Sequence, residues 1–231
     1  MDACRLGPLD KGTLPLMSVI TSRKRIVPPT EPVVSLALMQ QHLNLDLNGS
    51  PPSHPDDDLI MSYVEAATND MEGEDGWIGR SLAPQRWRIG YRAFPSVCDK
   101  NPDAALFLPY PPIVSVDSVR YSDGAGTLST LTEGVDFEVN LDGDPHAWIC
   151  PLYGKSWPTT ADRNVSVVVE FTAGFDASAL PANPIPAAIR QYVMLHAALM
   201  YQHREIELTN AQLQPIDNFL SAAKRFRVYG P

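Results

Sequence analysis

The sequence predicts an α+β fold in which helices from the N- and C-terminal parts of the chain form a bundle and a β-rich domain lies between them. Three observations carry this. Apolar residues recur at helical spacing over residues 35–43, 59–71 and 186–206, period-two alternation marks residues 86–92, and residues 165–171 are nearly all β-branched or aromatic. Short strands separated by turn residues, with helical segments on either side, fit segregated helices and sheet.

Residues 1–30 hold Pro8, Pro15, Pro28 and Pro29 with Gly7 and Gly12 and show no sustained period. They predict an extended arm that lies on a neighbour or stays loose. Met17 is an alternative start codon, which leaves open whether residues 1–16 are needed. N-terminal helices are predicted over residues 31–82. Ser35 caps the first, with Leu36, Met39 and Leu43 on one face, and Asn48-Gly49-Ser50-Pro51-Pro52-Ser53 breaks it. The second begins near Pro55 with Asp56, Asp57 and Asp58 in its first turn, where carboxylates favour the positive end of the helix dipole. Leu59, Ile60, Tyr63, Val64, Ala67 and Met71 form its buried face, and Gly73 and Gly76 end it.

The β-rich domain is predicted over residues 83–176. Trp87, Ile89 and Tyr91 alternate with Arg86, Arg88 and Arg92, the pattern of a strand with one wet face. Val114, Val116, Val119 and Tyr121 lead into the turn Ser122-Asp123-Gly124, and Phe137 and Val139 follow Gly134. Val165 to Phe171 reads as a central strand. C-terminal helices and a basic tail, residues 177–231, are expected to pack with residues 31–82. Pro186 opens the strongest helix signal, whose Ile189, Tyr192, Val193 and Met200 and whose Leu195, Ala198 and Leu199 occupy more than one face. Such a helix needs more than one neighbour. A last helix near Pro215 carries Ile216, Phe219, Leu220 and Ala223 on one stripe and ends in Lys224, Arg225 and Arg227, cations suited to a helix C-terminus.

The 231 residues suffice for a core without staples, and no stretch approaches the roughly 20 apolar residues that span a bilayer. No apolar run follows Arg23, Lys24 and Arg25 as in a signal peptide, so a cytosolic product is expected. Cys4, Cys98 and Cys150 stand far apart and read as free thiols. The net charge of -9 is unevenly laid out: residues 1–30 carry +3 and residues 217–231 carry +2, which leaves -14 for residues 31–216. An acidic body disfavours DNA binding through a basic face.

Catalytic motifs are incomplete. Gly154-Lys155-Ser156 resembles the end of a phosphate-binding loop, but Ile149 stands where that loop needs a glycine, and Trp157-Pro158 follows. The histidines His42, His54, His146, His196 and His203 are scattered, and only His146 and Cys150 form a pair at metal-ligand spacing. Asp123, Glu133, Asp136, Asp142 and Asp144 fall in predicted turns, where aspartate bonds locally. A carboxylate-based hydrolase built from them, and a nucleic-acid-binding module using Arg23, Lys24 and Arg25, are the alternatives to a structural protein. No aromatic residue lies among those cations to stack on bases.

The order of segments resembles a known family. Glu31-Pro32-Val33-Val34-Ser35-Leu36, His42-Leu43, Asp57-Asp58, Ala66-Ala67 and Gly79-Arg80-Ser81-Leu82 come first. Gln85, Trp87, Phe94-Pro95, Leu108-Pro109, Pro111-Pro112, Ser115-Val116, Tyr121, Asp123-Gly124 and Asp136-Phe137-Glu138-Val139 follow. Trp157-Pro158, Phe171-Thr172-Ala173-Gly174-Phe175, Pro186, Ile189, Tyr201 and Arg204-Glu205 complete the series. In this order the chain, over residues 31–227, is similar to the tailed-phage head-to-tail connector (adaptor) proteins and the related gene transfer agent protein. It departs in the long arm, in the glycine- and acid-rich insert from Gly73 to Gly76, and in Gln41, where the family tends to carry a basic residue.

The resemblance implies a structural subunit with no catalytic residue, metal or cofactor. It implies about twelve copies in a ring beneath the portal protein, joining it to the next neck or tail-completion protein, with double-stranded DNA passing through unbound. Such a protein resides in the virion neck and in the host cytoplasm during assembly, with no membrane involved. Lys224, Arg225, Phe226, Arg227 and Tyr229 are then the candidates for docking on the portal, because they reverse the charge of the body and carry aromatic anchors. Removing residues 224–231 is expected to preserve folding. Ile189, Val193, Leu195, Leu199 and Met200 are the subunit-interface candidates, since a closed ring needs two different faces per subunit.

Overall fold

The computed structural model of the chain describes residues 19–49, 52–73, 76–96, 104–141, 147–176, 178, 183–203 and 223–228. Two compact units emerge, one of residues 1–28 with 85–173 and one of residues 29–84 with 174–230.

The first unit is all β among its described residues. Its larger sheet joins β1 (Ile20–Val27), β2 (Gln85–Tyr91), β4 (Ile113–Ser122), β5 (Leu128–Leu131) and β8 (Val167–Ala173) in the order β1-β2-β8-β4-β5. A smaller sheet has the order β3-β7-β6, from β3 (Leu106–Phe107), β6 (Phe137–Asn140) and β7 (Trp148–Pro151). Every strand pair is antiparallel. Alternate side chains of a strand point to opposite faces, and the core follows that rule. Trp87, Ile89 and Tyr91 of β2 and Val167, Val169 and Phe171 of β8 are buried together with Leu106, Phe137 and Ile149 of the smaller sheet. The β-branched run is the middle strand of five, where both neighbours satisfy its backbone.

The arm expected at residues 1–30 is extended where it is described, but it is an integral strand. Residues 20–27 run along β2, with Arg23 opposite Ile89 and Lys24 opposite Arg88, and Ile20 packs on the core. Local spacing does not mark this strand, because residues 21–25 are all exposed and two register shifts, between Ile20 and Ser22 and between Arg25 and Val27, break its alternation. Each such bulge moves the following side chains to the other face.

The second unit is helical. Its helices are α1 (Leu36–His42), α2 (Asp57–Met71) and α3 (Ala187–Gln202), and Lys224–Phe226 form a short 3-10 turn. Ser35 Oγ accepts the Leu38 N–H and caps α1. Val34, Met39, Ile60, Val64, Ala67, Met71, Ile189, Val193 and Ala197 make one core with Ile78 and Leu82 of the loop after α2. The helix expected near Pro215 lies outside the described residues except for Ala223, which is buried in this core.

Two glycines fix loop positions. Gly79 has φ +67°, and a Cβ there would lie 2.8 Å from the Val228 carbonyl oxygen. Gly174 has φ +137°, and a Cβ would fall 2.2 Å from the Ala83 carbonyl oxygen. Only glycine allows both the backbone angle and the close approach.

Candidate functional site

Two of the carboxylates in the β turns, Asp123 and Asp136, are engaged in local hydrogen bonds. Asp123 Oδ1 accepts the N–H groups of Ala125 and Thr127, at 2.9 and 2.8 Å. Asp136 Oδ2 takes the Thr132 N–H at 2.9 Å, and that bond, helped by Lys155, holds the Asp136 carboxyl below the usual range. Lys155 donates to the Val135 carbonyl and lies 3.4 Å from Asp136, so the lysine of Gly154-Lys155-Ser156 braces a turn. Glu133 is exposed, and Asp142, Asp144 and His146 lie outside the described residues. Cys150 is a buried thiol, not joined in a disulfide, whose Sγ donates to Glu138 at 3.3 Å, while Cys4 and Cys98 also lie outside the described residues. Among the described residues no group of three His, Cys, Asp or Glu side chains could hold a metal. Nor is any described helix long and apolar enough to cross a membrane.

One open cleft of about 740 Å³ lies in the β unit, bordered by Phe94, Trp148, Tyr153 and Trp157. Phe94 and Trp157 stack with centroids 4.4 Å apart, and the Trp157 indole N–H donates to the Ala104 carbonyl. These contacts hold Trp157 and Phe94 in the wall of the unit.

The interface candidates on α3 divide. Ile189 and Val193 are fully buried in the helical core, and Met200 is half-buried against it. Leu195 and Leu199 are half-buried and lie outside that core. Their spacing of four residues places them on one side of the helix. The buried side also holds Tyr192, Met194, Ala197 and Ala198, which is why the helix reads as apolar nearly all round.

The C-terminal candidates are moored to their own unit. Lys224, Arg225 and Arg227 are exposed, whereas Phe226 is half-buried against the helical core. The buried Arg80 donates from Nε to the Phe226 carbonyl at 2.6 Å, the Val228 N–H donates to the Ile78 carbonyl at 2.9 Å, and the Arg227 guanidinium stands 4.9 Å from the Trp77 ring centre. Residues 224–228 therefore pack on their own unit instead of standing free of it, so their removal is expected to cost stability. Position in the sequence beyond the last apolar stripe concealed these contacts, because all three reach the loop at residues 77–80. Tyr229 lies outside the described residues.

Two polar clusters join residues far apart in the sequence. On the outer face of the large sheet, Glu170 of β8 is buried and receives Arg88 Nε at 2.8 Å, Arg86 Nη2 at 3.0 Å and the Arg120 guanidinium. Arg86 also pairs with Asp117 at 2.8 Å. At the meeting of the helix ends, Gln40 Nε2 donates to Asp57 Oδ1 at 2.7 Å, the His54 N–H donates to Asp57 Oδ2 at 2.9 Å, and the Tyr201 hydroxyl donates to Asp56 at 2.8 Å. The backbone donor and Gln40 lower the Asp57 pKa. The acidic turn of α2 thus ties α1 and α3 together besides meeting the helix dipole.

The chain is a two-unit α+β protein whose described polar clusters brace its own strands and helices. No known family profile matches the sequence, and no curated protein resembles it significantly. Solved structures do. A chain in the neck of an empty gene transfer agent particle, computed with sixfold symmetry, is 22% identical and has a TM-score of 0.66, with 91% of this chain and 97% of that chain covered. A chain in the virion of the native gene transfer agent particle is 22% identical at TM-score 0.63, over 90% and 96% of the two chains. A chain in the neck of the native particle, computed with twelvefold symmetry, is 21% identical at TM-score 0.54, over 89% and 97%. The protein shares the fold of these chains.

Proposed function

We propose that this protein is a structural head-to-tail connector subunit of a tailed-phage-like particle, not an enzyme, and that copies of it form a ring beneath the portal. The observation that carries the reading is the fold match to a gene transfer agent neck chain over more than nine-tenths of both chains. Twelve copies is the stoichiometry proposed, in keeping with the twelvefold symmetry of one matched neck. The partners are the portal protein, the next neck or tail-completion protein and further copies, with double-stranded DNA passing through the ring. The protein resides in the virion neck after assembly in the host cytoplasm.

In this reading Leu195 and Leu199 face a neighbouring copy, while Ile189 and Val193 hold the helix in its own core. Lys224, Arg225 and Arg227 present their charges to the portal from a segment that its own unit holds in place, so little ordering entropy is lost on docking. Imaging of particles carrying a tagged version of this chain tests the assignment: density for the tag belongs in the neck. A tag found in the capsid or tail tube, or on no particle, would overturn it. Within such particles, Leu199→Asp is expected to block incorporation while the free protein still unfolds cooperatively.

A further inference from the structure

We infer that the outer face of the large sheet is an arginine platform that receives the acidic face of α2 from a second copy of this chain. This rests on the ring reading and assigns it a pair of surfaces. Arg86, Arg88 and Arg120 converge on one carboxylate, Glu170, whose side chain is only 8% exposed, while their own side chains remain 40, 46 and 33% exposed. The carboxylate lies beneath and the guanidiniums lie above it. Lys24, exposed and directly opposite Arg88 on β1, extends the cluster. Four cations thus stand over two carboxylates, Glu170 and Asp117, so the platform keeps a positive surplus on a chain of net charge -9. Each guanidinium offers five N–H donors in a rigid fork, more than the two carboxylates can accept. Arginines already fixed by Glu170 lose little conformational freedom on binding.

The complementary surface is on the same chain, in the other unit. Asp58, Ser62 and Glu65 lie on one exposed face of α2, and neither Asp58 nor Glu65 has an ion-pair partner among the described residues. The dimensions agree. From β1 to β4 the platform crosses three strand spacings, about 14 Å, and seven residues of helix separate Asp58 from Glu65 by about 10.5 Å. A head-to-tail contact repeated around a ring requires two different surfaces that fit each other, and these two have opposite charge. A DNA backbone is the weaker occupant, because the chain as a whole repels it.

The test uses the full-length protein. Isotopically labelled and unlabelled wild-type chains are mixed at high concentration, joined with a zero-length carbodiimide reagent and mapped by mass spectrometry. The expected product is a mixed-isotope bond from Lys24 to Asp58 or Glu65. Its absence, or a mixed-isotope bond from Lys24 to another carboxylate, overturns the proposal. Lys24→Glu and Glu65→Lys each reverse an exposed charge outside the Glu170 cluster, and each alone should weaken self-association by about tenfold. The two variants mixed together should recover it. Wild-type rings of correct mass that neither reversal weakens would refute this pairing and leave the ring reading intact. Failure to enter a neck at all would refute the ring reading. Binding of a labelled DNA duplex that Lys24→Glu abolishes, without any mixed-isotope cross-link, would assign the platform to nucleic acid instead.

Discussion

The two units handle buried and half-buried carboxylates in different ways. In the sheet unit, Glu170 is held by formal charge, with three arginines from the strands on either side. In the helical unit, Asp57 is held by neutral donors, a backbone N–H and the Gln40 amide, at the end of a helix. A buried charge among fixed cations is costly to remove because its partners are left facing one another. A carboxylate met by neutral donors leaves no such repulsion behind.

The largest effect expected from this contrast is that of Glu170→Gln. It should cost about 3 kcal/mol, the lower end for breaking a buried ion pair, because the arginines keep a third or more of their side chains in water. Urea denaturation should show the loss, and added salt should shrink it by screening the arginines from one another. A loss that salt does not change would break the comparison.

Arg80→Ala comes next, at about 2 kcal/mol, since it removes a charged donor from the Phe226 carbonyl and loosens residues 224–228. Denaturation of this variant should fall between that of the intact chain and that of a chain truncated after Ala223, which also loses the Val228 and Arg227 contacts. A truncated chain as stable as the intact one would return the C-terminal segment to the status of a free tail.

Acid should act on the helical unit through Asp57. Its folded pKa is lowered, so its contribution to stability is present above the unfolded carboxylate range near 3.9 and is lost as pH falls through the folded value. Asp57→Asn should flatten stability against pH below 4 and leave the salt dependence of the protein unchanged.

The smallest effect is that of His196, half-buried on α3 with Asp70 at 3.6 Å and the Tyr192 ring beside it. Burial lowers its pKa, with Asp70 opposing. The unfolded chain therefore takes up the proton first, and stability should decline as pH falls from about 6.5 through the folded value. His196→Gln should remove that shallow slope, as a titration of melting temperature would show.

The sequence by itself determined the alternation of β2, the central place of β8, the cap of α1, the acidic start of α2 and the α+β class, because each is written in local spacing or in a single helical turn. Residues 20–27 were beyond it, since two register shifts erase the period that marks a strand. So was the division of α3: Ile189 and Leu195 are equally apolar, and only the packing of α2 decides which of them is core. The arginine platform was half legible. Arg86 and Arg88 could be placed on the wet face of β2, but their partner Glu170 sits 84 and 82 residues away, in a strand otherwise rich in valine. Pairing at that distance is set by sheet register, which brings β2, β8 and β4 side by side and which no local pattern encodes.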